Sequence, residues 1–118
     1  MGRKALKRGE IWTADLRSLG EISKIRPALI VSVAAINEIS PIVIVIPISS
    51  HIPEILGFDR ILLEKDNNTN LAKDSVALTT QIRSLEKRKL GKRVGKLKRE
   101  KMREVEESIK VVLGLTED

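Results

Sequence analysis

The sequence predicts a small, mainly β barrel of about six or seven strands finished by a C-terminal amphipathic helix, α+β by residue count. Gly, Pro and Asn break the chain at short intervals, the rhythm of strands joined by turns. Between the breaks the apolar residues are mostly branched aliphatics, 15 Ile, 14 Leu and 9 Val in 118 residues, the types that suit a pleated, buried surface. Only the C-terminal segment changes to a helical period.

The elements follow in order. Residues 10–16 alternate enough for a strand, and 27–32 and 42–48 are apolar runs of the buried-strand type. Residues 58–63 and 75–80 continue the series, which makes five strands before residue 85. Between the last two, 65–73 carries Asp66, Asn67, Asn68 and Asn70 and reads as a loop. Met102, Val105, Ile109, Val112 and Leu113 then recur at helical spacing, with Glu104, Glu106, Glu107 and Lys110 on the other face, giving a helix over 98–113. Gly114 is placed to end it. Its start lacks a Ser, Thr, Asp or Asn cap and puts Lys98, Arg99 and Lys101 at the positive end of the helix dipole. One domain spanning 1–118 is expected at this length.

Composition narrows the chemistry. There is no Cys, so disulfides, thiolate nucleophiles and Cys-ligated zinc are excluded. A single His removes two-histidine metal sites and acid/base pairs. Trp12 and Phe58 are the only aromatics, too few for recognition by stacked bases. The longest apolar run, 41–48, falls far short of the ~20 residues that span a bilayer and contains two prolines. No apolar signal segment follows the basic residues 1–8, so a cytoplasmic protein with no membrane contact is expected.

The net charge is +6, and it is concentrated. Residues 83–103 hold 11 basic and 2 acidic side chains, a net of +9, which leaves −3 for the rest of the chain. Such a stretch is either a solvated face or a surface turned toward nucleic acid.

Three places carry candidate chemistry. Arg26, held extended by Pro27, is either a surface charge in an ion pair or a guanidinium aimed at a phosphodiester, where its paired donors would stabilise transition-state charge. Ser49 and Ser50 end the strand 42–48 and taken alone are ordinary strand-end hydroxyls. His51 lies two residues from Ser49, but sequence adjacency supplies no triad geometry, and it reads as a plain loop histidine.

Several pieces in order resemble a known family: Arg8-Gly9-Glu10-Ile11-Trp12, Asp15-Leu16, Gly20-Glu21, Arg26-Pro27-Ala28-Leu29-Ile30-Val31, Ser40-Pro41, Ile48-Ser49-Ser50, Asp74-Ser75-Val76, Gln81-Ile82-Arg83 and the terminal Gly114-Leu115. This set resembles the MazF/PemK toxins of type II toxin-antitoxin systems over nearly the whole chain. The resemblance implies an SH3-like barrel, a homodimer, and a sequence-specific endoribonuclease that cuts single-stranded RNA without metal or cofactor. It adds a last strand at 92–97. It also implies an antitoxin partner that lays an acidic C-terminal segment in the RNA groove, with DNA contacted only indirectly through that antitoxin.

By position, the resemblance makes Arg26 the catalytic arginine. Ser49 stands where the family generally has a threonine, keeping the hydroxyl and losing the methyl, and Glu21 stands on the acidic residue of the preceding loop. Lys24, Ser50, Thr80, Gln81 and Arg83 become RNA contacts, Thr80 replacing a common carboxylate. RNA supplies its own nucleophile, so attack by the 2′-hydroxyl gives a 2′,3′-cyclic phosphate and a 5′-hydroxyl. Two other functions remain open: a non-catalytic toxin like CcdB that binds DNA gyrase, and a basic RNA-binding barrel.

Overall fold

The computed structural model describes residues 5–17 and 25–116. Its elements are β1 (Glu10–Asp15), β2 (Ile25–Ile30), α1 (Ala34–Ile39), β3 (Ile42–Ser49), β4 (Arg60–Leu63), β5 (Ser75–Leu78), β6 (Arg83–Glu86), β7 (Leu90–Lys96) and α2 (Arg99–Val112). All strand pairs are antiparallel, in the order β4-β5-β3-β2-β1-β7, with β6 also on β3. The mainly β architecture with a C-terminal helix is the one the sequence predicts.

β3 organises the sheet. The Val31 N–H donates to the Ile44 carbonyl at 2.9 Å, so the peptide groups of Ile44, Ile46 and Ile48 face β2. By alternation those of Val43, Val45, Pro47 and Ser49 face the opposite edge. β6 pairs with that edge at positions 42 to 45, and β5 at 48 and 49. Pro47, with no N–H to give, falls in the gap between these two partners, where no ladder bond requires one.

Both faces of the central strands are buried, which is why 27–32 and 42–48 read as unbroken apolar runs. On one face Ile11, Leu29, Ile46 and Ile48 pack with Leu63, Leu97, Met102 and Val105 beneath α2. On the other Ala14, Ala28, Ile30, Val43 and Val45 pack with Leu6, Trp12, Leu85 and Leu90. Each fully buried aliphatic side chain contributes about 1.5–3 kcal/mol relative to exposure.

α2 starts without a side-chain cap, as its sequence implies. It ends in a Schellman motif: Leu115 N–H bonds to the Lys110 carbonyl at 2.7 Å and Gly114 N–H to that of Val111 at 3.1 Å, with Gly114 at φ +70°. Ser108 fastens its middle, donating to the Phe58 carbonyl at 2.6 Å and lying 2.7 Å from the Thr79 hydroxyl. Gly95 in β7 is a close-approach glycine: a Cβ there would strike the carbonyl oxygens of Asn68 and Thr69.

Two elements differ from the sequence reading. α1 is a six-residue helix held by tertiary contacts: buried Asn37 gives its amide N–H to the Ser32 carbonyl at 2.9 Å and accepts from the Ser32 hydroxyl, whose oxygen also takes Ile44 N–H at 3.0 Å. Pro41 forces Ser40 to be extended (φ −89°, ψ 146°) and so ends it. β6 is a strand because the β3 edge needs a partner, although its sequence offers only Leu85 as an apolar anchor. Elsewhere the differences are at the ends: the strand expected over 75–80 stops at Leu78 and passes into a 3-10 turn at Thr79–Gln81, and the last strand begins at Leu90. Among the described residues, no helix is long and apolar enough to cross a membrane.

Candidate active site

The site forms where two neighbouring strands part. β2 and β3 pair as Ile30↔Val45, Leu29↔Ile46 and Ala28↔Pro47, and two further steps in that register set Arg26 opposite Ser49. By then β3 has turned to β5, with Ser49 paired to Val76, while β2 stays on β1, with Arg26 paired to Ala14. Between the diverging ends lies a cleft of about 510 Å³ lined by residues 25–27, 48–51, 71–73 and Ser75.

Each wall has a local cause. Arg26 is half-buried and precedes Pro27, whose fixed φ keeps the strand end extended. At the end of β3 the Ser49 hydroxyl oxygen accepts the His51 N–H at 3.1 Å, a turn that uses a lone pair and leaves the hydroxyl proton for an anion. On the far wall Ser75 donates its hydroxyl to the Lys73 carbonyl at 2.8 Å, and Asp74 accepts Lys65 N–H at 2.8 Å, fixing the turn that carries Lys73. The described lining therefore holds a guanidinium, an ammonium, an imidazole and three hydroxyls, with no Asp or Glu. Such a cleft suits an oxyanion, and its donors come from three strand ends.

The cleft brings Arg26, Ser49 and Ser50 together. Glu21 and Lys24 lie outside the described residues. Thr80, Gln81 and Arg83 do not line it: Thr80 and Gln81 are exposed in the 3-10 turn beside α2, and Arg83 gives Nε and Nη2 to the Gln81 carbonyl and side-chain oxygens at 3.2 and 3.0 Å. His51, which reads as a loop histidine, is an exposed loop residue and also lines the cleft. Ser75 was signalled by the Asp74-Ser75-Val76 motif; Lys73 had no signal, being one lysine in a polar loop.

Two carboxylates of β1, one at each end of the strand, are engaged outside the cleft. Burial of Glu10 favours its neutral form, but hydrogen bonds from Trp12 Nε1, Arg93 Nε and Lys7 N–H outweigh that and hold its pKa below the ordinary value. Asp15, opposite Ile25 in the β1–β2 register, is lowered to about 2 by the Arg17 side chain, which grips both its oxygens at 3.0 and 2.7 Å, and by the Arg17 N–H. Among the described residues no three His, Asp or Glu side chains converge as metal ligands.

A family model described as "PemK-like, MazF-like toxin of type II toxin-antitoxin system" matches residues 7–113. The chain belongs to that family. It is 37% identical over 112 residues to the endoribonuclease MazF of Staphylococcus saprophyticus, covering 93% of this chain and 92% of that one. Among solved structures, MazF of Deinococcus radiodurans superposes with a TM-score of 0.79 at 21% identity, over 95% of this chain and 99% of the other. A mycobacterial endoribonuclease in complex with its cognate antitoxin gives 0.76 at 22% identity, over 98% and 100%. These two are likenesses of fold.

Proposed function

We propose that this PemK/MazF-like toxin is a metal-independent, sequence-specific endoribonuclease acting on single-stranded RNA, working as a cytoplasmic homodimer and silenced by an antitoxin with an acidic C-terminal segment. One observation carries the reading: Arg26 and Ser49 share one cationic cleft at the ends of β2 and β3. The staphylococcal relative's name supports the same reaction.

In this mechanism a phosphodiester sits between Arg26 and Ser49. The adjacent 2′-hydroxyl attacks phosphorus in line, the P–O5′ bond breaks, and the 5′ oxygen leaves with a proton. Arg26 neutralises charge building on the phosphoryl oxygens, and Ser49 donates its hydroxyl to one of them. Glu21 takes the proton of the attacking 2′-hydroxyl, and water supplies the proton with which the 5′ oxygen leaves. Lys24 and Ser50 hold the flanking backbone, while Thr80 and Gln81 contact RNA beyond the cleft, with Arg83 fixing Gln81. The products are a 2′,3′-cyclic phosphate and a 5′-hydroxyl.

Incubating the purified protein with long single-stranded RNA in excess chelator tests this. Cleavage leaving a cyclic phosphate, blocked by a 2′-deoxy substitution at the cut site, is the expected result. Intact RNA, or equal cutting of the deoxy substrate, would overturn it.

A further inference from the structure

The basic stretch 83–103 is divided by the fold. Arg88 pairs with Glu86 at 3.1 Å and Arg93 with Glu10 at 2.8 Å. Lys101 pairs with Glu104 at 3.2 Å. Four others, Lys96, Lys98, Arg99 and Arg103, line a groove of about 800 Å³ at the junction of β7 and α2, where the N-terminal turn adds Arg8. Against these five cations the groove holds Glu100 and Glu106, and Glu106 is engaged by Arg8 at 2.7 Å. Among the described residues, Lys96, Lys98, Arg99 and Arg103 form no ion pair within 4 Å.

We propose that this groove is a second binding surface for the RNA phosphodiester backbone, separate from the Arg26 cleft. Taking RNA as the occupant rests on the endoribonuclease reading. Three features favour it over an acidic protein segment. The apolar members of the groove, Leu97 and Met102, belong to the core and are over nine-tenths buried, leaving no hydrophobic anchor for a peptide. The floor is rigid: Gly9 N–H bonds to the Ile30 carbonyl at 2.8 Å and the Gly9 carbonyl accepts Leu97 N–H at 2.9 Å. Long cations over a fixed backbone floor grip a repeating charge without reading side chains or bases.

The groove and the cleft stand at opposite ends of β2. Gly9 bonds to Ile30, and Arg26 lies four residues back, roughly 13 Å away at the usual rise of a strand. A short RNA filling the cleft cannot reach the groove, whereas a longer one engages both. The groove then supplies affinity and salt sensitivity, and the cleft supplies cleavage.

The test is a Lys96→Gln/Arg99→Gln/Arg103→Gln variant, all three positions exposed, with 2′-O-methyl RNA that binds without being cut. Anisotropy across a salt series is read for a long RNA and for a short one spanning only the cleft. For the long RNA we expect about a tenfold loss of affinity and a log–log salt slope flatter by about 2, as for three phosphate contacts on a single strand; the short RNA should bind unchanged. Unchanged binding of the long RNA overturns the proposal, as does an equal loss on both. So does unchanged RNA binding with weakened capture of polyglutamate, which would give the groove to an acidic protein. Because binding is scored on uncleavable RNA, a wild type that cuts nothing removes the endoribonuclease reading while this assay still decides the groove.

Discussion

The β1–β2 hairpin has two ends built on opposite electrostatic plans. At one, Glu10 is buried and takes hydrogen bonds from Lys7 N–H, Trp12 Nε1 and Arg93 Nε. At the other, Arg26 stands with Ser49, His51 and Lys73 around an open cleft whose described lining has no carboxylate. The first end is an anion already surrounded by donors, and it joins β1 to β7 and the N-terminal turn. The second gathers a guanidinium, an ammonium and hydroxyls from three strand ends around an accessible cleft. Similar chemical groups make a joint where they close on a buried carboxylate, and a cleft where they line open space.

The sharpest break of this contrast is Arg26→Ala. It should slow RNA cleavage by about 10²–10³-fold, the cost of removing one donor to developing negative charge, while the thermal unfolding midpoint barely moves. A large fall in the midpoint would make Arg26 a structural residue like Glu10. Glu10→Ala should do the reverse, lowering stability in urea titrations by about 1–3 kcal/mol because the buried Trp12 donor loses its acceptor, with kcat preserved at temperatures where the chain is folded.

Ser49 offers a finer test. Ser49→Ala should cost roughly tenfold in kcat, about 1.4 kcal/mol of transition-state stabilisation, and Ser49→Thr should retain activity because the hydroxyl stays. Equal loss in both would mean that the position works by its shape. The smallest effect belongs to Asp15. Its folded pKa of about 2 lies below the value near 3.9 of an unfolded Asp, so its pair with Arg17 adds stability above pH ~4 that disappears as the pH falls through about 2. The gap in unfolding midpoint between wild type and Asp15→Asn should therefore be present at pH 6 and reduced to a small fraction by pH 2.

Much of this was legible in the sequence. β2, β3 and α2 announced themselves because each is decided by its own side chains: branched aliphatics in unbroken runs, or apolar residues at helical spacing closed by Gly114. α1 and β6 did not, because their causes lie elsewhere, in the Ser32–Asn37–Ile44 hydrogen bonds and in a β3 edge that needs covering. The site divides in the same way. Arg26, Ser49 and Ser50 could be named from ordered motifs, whereas Lys73 reaches the cleft only because a loop is folded back by Ser75 and Asp74. Composition located the excess of charge in 83–103 but could not show that Glu10 would claim Arg93, or that Arg8 would join the cations left over.

Pro47 gives the molecule a safeguard while it folds. β5 and β6 lie along the same edge of β3 with only a short gap between them, and either could slide toward the other as the chain collapses. A slid strand would present a carbonyl to Pro47, which has no proton to donate, and would leave that acceptor unsatisfied. The misaligned sheet is thus handicapped by about one lost hydrogen bond, ~1–3 kcal/mol if buried, while the correct alignment loses nothing. The divergence that opens the Arg26 cleft begins at the residue after this proline, where Ile48 pairs with Ala77, so the residue that rejects slipped pairings also protects the geometry of the site.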